Sequence, residues 1–200
     1  MRPLPMLAEE RALPFDSDDW IFELKHDGFR MLAARDGDHI EMWWRSGAPV
    51  GAAFPEVARA LLALPDERFV LDGELVVFDV TGRPDLSIMQ TRAPMTHPLK
   101  IGVCSRRFPA TFCAFDLLSY GGVDLRSRPL ATRKVLLESV VPPASAGEST
   151  RYVDHVPGRG VALFHAVAAM GLEGVVGKRA GSLYHDGQRS PDWLKVKVRP

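Results

Sequence analysis

One lysine near the start of the chain has the neighbours that a nucleophile would need. The stretch Glu23-Leu24-Lys25-His26-Asp27-Gly28-Phe29-Arg30 carries Lys25 at the end of an alternating run, then an Asp-Gly turn signal, then an arginine. Alternation puts Glu23 and Lys25 on the same face of a strand. A nucleophilic lysine must be neutral, and nearby cations or a bound metal ion favour the neutral amine. Taken alone, however, a lysine in this position is more typical of a solvated edge strand.

Two further lysines lie near the end of the chain. In residues 193–198 apolar residues alternate with Lys195 and Lys197, which therefore share one face of a predicted strand. Two lysines on one face could hold phosphate groups, and with Arg30 they are candidates for the cations near Lys25. An amphipathic edge strand protected by lysines would have the same pattern.

Carboxylates that could bind ribose or a metal ion occur in the middle of the chain. Asp72 and Glu74 fall on one face of a predicted strand over residues 69–79. Mg²⁺ takes oxygen ligands and often only one or two carboxylates, which makes this pair a candidate metal or ribose site. The alternative is that both carboxylates face solvent on a half-exposed strand.

Further residues could contact a flat base or a phosphate. Phe115 lies in an apolar strand, where it is usually a core residue but could stack on a base. Val176 and Lys178 share a face of the run that begins at Glu173. Arg45 follows a predicted hairpin strand and suits a phosphate contact, although a solvated strand end is the simpler interpretation.

The hydrophobic pattern predicts an α+β protein built on antiparallel sheets with flanking helices, because hairpin signals outnumber regular βαβ units. Strands are predicted over residues 20–25, 29–35, 39–44, 69–79, 111–119, 152–156, 173–179 and 193–198. Helices are predicted over residues 55–64, 129–141 and 160–170. The other segments are predicted to be irregular: a lead-in over 1–19, a long loop over 81–109 with one short helix near 86–91, and a flexible surface loop over 142–149.

Length and composition indicate one domain over residues 1–200. Lys plus Arg and Asp plus Glu number 25 each, so no global charge attracts the chain to nucleic acid or to an anionic membrane. The two cysteines indicate a reducing cytoplasm, and no apolar run has signal or membrane-spanning length. The six histidines have no metal-ligand spacing and are interpreted as surface or satisfied core residues. No phosphate loop of the Walker or Rossmann type is present.

Together, these stretches resemble the motifs of the covalent nucleotidyltransferases, which comprise DNA ligases, RNA ligases and mRNA capping enzymes. Lys25-His26-Asp27-Gly28-Phe29-Arg30 is similar to their Lys-x-Asp-Gly-x-Arg motif. The other motifs follow in the family's order: Trp44-Arg45-Ser46-Gly47, Asp72-Gly73-Glu74, residues 112–118, residues 173–178 and Lys195-Val196-Lys197. The sequence most resembles bacterial ATP-dependent DNA ligases of the end-joining type. The resemblance implies a ligase-type, ATP-grasp-like nucleotidyltransferase domain.

The resemblance also implies a reaction. Lys25 would attack the α-phosphate of ATP to form lysyl-AMP, and the AMP would pass to a 5′-phosphate of nicked or broken duplex DNA. Lys195 and Lys197 match the lysines that hold the α-phosphate and the rest of the triphosphate. Arg30 and Arg45 match arginines that hold ribose or phosphate.

The base and the ribose would be held by residues from four other motifs. Glu23 matches the residue that recognises the adenine amino group. Phe115 matches the aromatic that stacks on the base, and Val176 would lie on the other face of the base. Lys178 belongs to the same motif as Val176 and is included among the nucleotide contacts. Glu74 matches a residue that contacts ribose or the metal.

The metal would be Mg²⁺ or Mn²⁺, bound by Glu74 and Glu173. Ligases of this kind continue into an OB-fold domain, and we expect none within these residues, so an OB-fold domain or an end-joining partner would be supplied elsewhere. Two alternatives remain: a non-catalytic module that binds nucleotide or nicked DNA, and an RNA ligase or capping-type enzyme. We expect a cytoplasmic enzyme of DNA repair with no membrane partner.

Overall fold

The structure is a computed structural model that describes residues 2–141 and 148–198, so most of the loop predicted over 142–149 lies outside the described residues. The strands in chain order are β1 (Leu7–Glu10), β2 (Ser17–Leu24), β3 (Phe29–Asp36), β4 (His39–Trp44), β5 (Arg68–Val77), β6 (Ala110–Tyr120), β7 (Val123–Asp124), β8 (Thr150–Tyr152), β9 (His155–Gly158), β10 (Gly174–Arg179) and β11 (Arg189–Lys197). The helices are α1 (Pro55–Leu62), α2 (Leu86–Arg92), α3 (Pro98–Arg107), α4 (Leu130–Val140) and α5 (Gly160–Ala169).

The strands form two sheets. Sheet A has the order β1-β11-β10-β2-β9, and sheet B has the order β4-β3-β5-β6-β7 with β8 also paired to β6. Most neighbours are antiparallel, whereas the pairs β1–β11 and β6–β8 are parallel. The predicted α+β class with antiparallel sheets is therefore confirmed.

Three apolar clusters pack the helices and the two sheets against one another. One cluster packs α1, α2 and α4 onto one face of sheet B, and it includes Val57, Met89 and Leu137. A second lies between the two sheets and contains Leu32 and Trp193. The third packs α5 onto the outer face of sheet A. The order of layers is therefore helices, sheet B, sheet A and a last helix, with the interior split by the space between the sheets.

Several predicted elements are confirmed. Strands β3 and β4 form the expected hairpin, paired from Asp36 with His39 to Met31 with Trp44. Helix α5 ends where Gly171 adopts a φ of 66°, a left-handed conformation that glycine adopts without strain. Helices α1 and α4 also form at the predicted places.

Two segments predicted to be irregular contain regular structure. Residues 7–10 form β1, which pairs in parallel with β11, although only four residues take part. Helix α3 lies in the predicted long loop and buries only Ile101 and Ser105. Its Leu99 and Val103 are exposed, so the helix has no apolar stripe by which its period could be recognised.

The single strand predicted over residues 152–156 is wrong. The chain passes from sheet B to sheet A at this point, with β8 paired to β6 and β9 paired to β2. Strand β11 is also longer than predicted, and it is flanked by both β1 and β10. The edge-strand interpretation of its lysines is therefore excluded. Within the described residues, no helix is both long and apolar enough to cross a membrane.

Candidate active site

A cavity of about 680 Å³ opens between the two sheets. Every residue predicted to contact the nucleotide lines it: Glu23, Lys25, Arg30, Arg45, Glu74, Phe115, Val176, Lys178, Lys195 and Lys197. Glu173 is not part of the wall, but it contacts the Lys25 side chain. The structure thus brings the predicted site residues together, whereas their chemical roles remain predictions.

Strand register explains why the residues from sheet A meet. Val176 of β10 pairs with Glu23 of β2 on one side and with Lys195 of β11 on the other. Gly174 pairs with Lys197, and its carbonyl accepts a hydrogen bond of 2.9 Å from the Lys25 backbone N–H. Because neighbouring residues in register face the same way, this side of the sheet forms one wall of the cavity.

The Lys25 amine contacts a carboxylate. Its Nζ lies 2.7 Å from Glu173 Oε1 and 2.8 Å from Oε2. Two of the three cations expected beside it have other partners: Arg30 pairs with Asp72, and Lys195 lies 3.7 Å from Glu10. The sequence did not indicate that a carboxylate contacts the Lys25 amine.

Arg30 is held rigidly in the cavity wall. Its Nε and Nη2 donate to the two oxygens of Asp72 at 2.6 and 2.7 Å, which is the bidentate geometry that arginine favours. Asp72 is completely buried and also accepts a bond of 2.6 Å from the Tyr184 hydroxyl. The solvent-facing alternative for Asp72 is therefore excluded. The Asp72 carboxylate instead fixes the orientation of the Arg30 guanidinium.

A β-bulge directs Phe115 into the space between the sheets. Asp72 pairs with Asp116 and Gly73 pairs with Ala114, so Phe115 is an extra residue on β6. The ring is 8% exposed and lines the cavity, and it is covered by two cations. Arg30 Cζ lies 4.3 Å and Lys178 Nζ lies 4.0 Å from its centroid.

The cavity also has cations that are less constrained. Arg45 follows β4 at an exposed turn, and its side chain has no hydrogen bond or ion pair within residues 2–141 and 148–198. Lys197 is exposed and Lys195 is half-buried. Such side chains can reorient toward a polyphosphate at little cost, since they leave no buried partner unpaired.

The carboxylates suit a metal ion that is shared with a ligand. Glu74 is partly buried, and burial raises its pKa to about 7 even though Arg30 and Lys25 act in the opposite direction. A carboxylate held in this way lacks a full compensating charge, which a cation would supply. Within the described part of the chain, no group of three or more His, Cys, Asp or Glu could hold a metal by itself. Glu74 and Glu173 therefore fit an ion such as Mg²⁺, which usually completes its shell with water and substrate phosphates.

Glu23 is engaged by two lysines, one of which was not predicted. Its Oε1 lies 2.8 Å from Lys134 Nζ, and its Oε2 lies 2.6 Å from Lys178 Nζ. Lys134 comes from α4, where it lies on the buried stripe with Leu130 and Leu137. A lysine at a buried helical position is the signal that could have identified it.

His26 was interpreted as a surface or satisfied core histidine, and the structure differs. It lines the cavity, and its buried Nδ1 has no hydrogen-bond partner in the part of the chain that the structure describes. Burial, and secondly the positive charge of Arg151, lowers the pKa of His26 to about 4. The imidazole beside Lys25 is therefore neutral at pH 7.

Stability should depend on pH through His26. Its pKa in the folded chain lies near 4, below the ordinary value of 6.5, so its stabilising contribution is complete above pH 6.5 and is lost as pH falls toward 4. We expect wild type to lose on the order of 2 kcal/mol more than His26→Gln between pH 7 and pH 4. Urea unfolding at several pH values measures this, with exposed His39→Gln as the control. If the free energy of unfolding changed equally with pH in wild type and in His26→Gln, this prediction would be contradicted.

Gly28 lies where the chain crosses from sheet A to sheet B. A Cβ atom there would be 2.4 Å from the Leu75 carbonyl oxygen and 3.0 Å from Val76 Cγ2. We expect Gly28→Ala to cost about 1–3 kcal/mol in the free energy of unfolding, because the backbone must move. Gly181→Ala is the matched control, since a Cβ at Gly181 meets no atom within 4 Å. Equal stability of the two variants in urea would disprove the expected close contact.

Comparison with known proteins identifies the family. A family model described as an ATP dependent DNA ligase domain matches residues 5–197. A probable DNA ligase of Mycolicibacterium paratuberculosis is 35% identical over 205 residues, which cover 98% of this chain and 38% of that protein. The multifunctional non-homologous end joining protein LigD of Mycobacterium bovis is 34% identical over 194 residues, which cover 96% of this chain and 24% of that protein.

A solved structure gives the same result. The structure of mycobacterial DNA ligase D complexed with ATP and MES is 33% identical and has a TM-score of 0.79, with 98% of this chain and 60% of that chain covered. The chain thus spans 38% and 24% of the two curated relatives. Since the family model covers nearly all of its residues, this chain belongs to the ATP dependent DNA ligase domain family.

Proposed function

We propose that residues 1–200 are the adenylation unit of an ATP-dependent DNA ligase. The observation that carries this proposal is that Lys25 and all of the predicted nucleotide contacts line one cavity between the two sheets. Lys25 Nζ would attack the α-phosphorus of ATP, the bond to the pyrophosphate oxygen would break, and AMP would remain on the lysine. The solved relative described as complexed with ATP supports this choice of nucleotide.

The residues around Lys25 supply what this step needs. Glu173 lies 2.7 Å from Lys25 Nζ and would hold the amine in place. A metal ion bound at Glu173 and the nearby cations would favour the neutral amine that attack requires, with its proton released to solvent. Lys195, Lys197 and Arg45 would face the phosphates, where negative charge gathers in the transition state. Mg²⁺ bound at Glu74 and Glu173 would neutralise part of the charge on the phosphates.

Other residues of the cavity wall would hold the nucleoside. Phe115 and Val176 would contact the base, and Glu23 would accept a hydrogen bond from its amino group. Arg30, oriented by Asp72, would contact ribose or phosphate. Arg30 and Lys178 both lie over the Phe115 ring. If the base stacks on a ring face that one of these cations covers, that cation would have to shift.

The later steps concern DNA. The AMP would be transferred to a 5′-phosphate of nicked or broken duplex DNA, and the 3′-hydroxyl would then displace it to join the strands. The relative named for non-homologous end joining supports a role in DNA repair. An OB-fold domain or an end-joining partner would close over the cavity. The cytoplasmic location of the enzyme remains a prediction.

Label transfer tests this function. The chain is incubated with Mg²⁺ and ATP labelled at the α-phosphate, and is then run on a denaturing gel. We expect label on the protein, and its loss when nicked duplex DNA is added, with sealed DNA as the product. Label from GTP but not from ATP would favour a capping-type enzyme. DNA binding without label, and without sealing of a pre-adenylated nick, would favour a non-catalytic module.

A further inference from the structure

A buried cluster of charges adjoins the cavity. Glu23 is 2% exposed and receives one ammonium group on each carboxylate oxygen, from Lys134 at 2.8 Å and from Lys178 at 2.6 Å. Removing ions from water is costly unless they are paired. The arrangement therefore needs an explanation beyond ordinary surface charge.

Lys134 is held from all sides but does not reach the cavity. Its Nζ also donates to the Val153 carbonyl oxygen at 2.7 Å and lies 4.1 Å from the centroid of the Tyr152 ring. Glu23 and Lys178 line the cavity wall, whereas Lys134 stands behind them. Lys134 can therefore act on a bound nucleotide through Glu23, which it contacts directly.

The two lysines determine what Glu23 can do. Burial alone would raise the pKa of Glu23, but the ammonium groups of Lys134 and Lys178 outweigh it, so the pKa lies below its ordinary value. An ionised carboxylate only accepts hydrogen bonds, and it has about four acceptor positions on its two oxygens. One of these accepts the hydrogen bond from Lys134, and Oε2 contacts Lys178 as an ion pair at 2.6 Å. The remaining positions can accept from a donor in the cavity.

The geometry points to Lys134 as a positioning residue that determines base specificity. By holding Glu23 as a fixed, acceptor-only group beside Val176 and Phe115, Lys134 selects a purine that carries an exocyclic 6-amino donor. This inference rests on the proposed function, because it assumes that a nucleotide base enters the cavity beside Glu23. It adds a residue of α4 that touches neither the base nor the reacting atoms.

Two nucleotides that differ by one amino group test the inference. The dissociation constants of ATP and of purine riboside 5′-triphosphate, which lacks the 6-amino group, are measured with the full chain by equilibrium titration. We expect wild type to prefer ATP by about tenfold or more, as for a hydrogen bond to a charged group. In Lys134→Gln, which removes the charge but keeps a donor, this preference should fall to about twofold or less.

Two comparison variants make the test decisive. Lys100→Gln alters an exposed lysine of α3 and should keep the wild-type preference. Lys134→Arg retains the charge and should keep the preference within about twofold. If Lys134 had only a structural role, both nucleotides would bind more weakly by the same factor, and the preference would be unchanged. That result, or a wild type that does not distinguish the nucleotides, would overturn the inference.

The outcome is also separable from that of the proposed function. Folding of Lys134→Gln is checked by circular dichroism. If it does not fold, Lys134→Arg tests the inference, because a folded Lys134→Arg chain that no longer prefers ATP would refute it. Binding selectivity needs no covalent step. If wild type transfers label but Lys134→Gln keeps the wild-type preference for ATP, only the role of Lys134 is overturned. If Lys134→Gln loses the preference for ATP as expected but wild type transfers no label, only the adenylation step is overturned.

Discussion

Replacing Lys25 with alanine should reduce the AMP label on the protein by at least about 10³-fold, because no other group would be placed to attack phosphorus. Lys25→Arg should be equally inactive, since its guanidinium is always protonated, although it can retain an ion pair with Glu173. Binding of ATP should change little in the arginine variant. The measurement is label transfer from ATP on a denaturing gel, with equilibrium titration of ATP alongside.

The matched control for Lys25 is Lys100→Ala, because Lys100 is an exposed lysine of α3 on a different part of the molecule. It should keep the full label. A Lys25→Ala chain that is folded and still carries more than a few per cent of the wild-type label would show that another residue is the nucleophile. The cavity would then need a different assignment, with buried Lys178 as the next amine to test.

Replacing Asp116 with alanine should cost about 3–5 kcal/mol in the free energy of unfolding, the usual effect of breaking a buried ion pair. Arg133 Nε and Nη2 donate to the two Asp116 oxygens at 2.7 and 2.8 Å, and both side chains are completely buried. Without Asp116, the guanidinium would remain buried and uncompensated. Urea unfolding measures the change.

Asp36→Ala provides the contrast for Asp116. Asp36 pairs with Arg68 at 2.9 Å, but the two side chains are 77% and 65% exposed, and such pairs contribute little. Its stability should stay close to that of wild type. If Asp116→Ala and Asp36→Ala lowered the free energy of unfolding equally, burial would not explain the strength of the Asp116 ion pair.

Because Asp116 adjoins Phe115 and Arg133 adjoins Lys134, we also expect weaker nucleotide binding by Asp116→Ala.

Local alternation predicted much of the site. It placed Lys195 and Lys197 on one face of β11, and Val176 and Lys178 on one face of β10, and both pairs line the cavity. This works because successive side chains on a strand point in opposite directions whatever the neighbouring strands are. The same reasoning could not find α3, whose polar sequence carries no periodic apolar signal.

Pairing between distant residues could not be predicted in this way. The contact of Lys25 with Glu173 joins residues 148 positions apart, and that of Glu23 with Lys134 joins residues 111 apart. The bulge at Phe115 shifts the pairing of β6 with β5 by one residue. Such features depend on how sheets and helices pack, and a local pattern does not encode that packing.

The sequence by itself determined the fold class, most of the strands and ten of the residues that line the cavity. It did so because alternation and motif order are properties of neighbouring residues. Only the tertiary structure decided the partners of those residues: a carboxylate at Lys25, a buried aspartate that orients Arg30, and a hidden lysine behind Glu23. Lys25 is therefore a candidate nucleophile by sequence, while the carboxylate that contacts its amine became visible only when β2 and β10 were paired in sheet A.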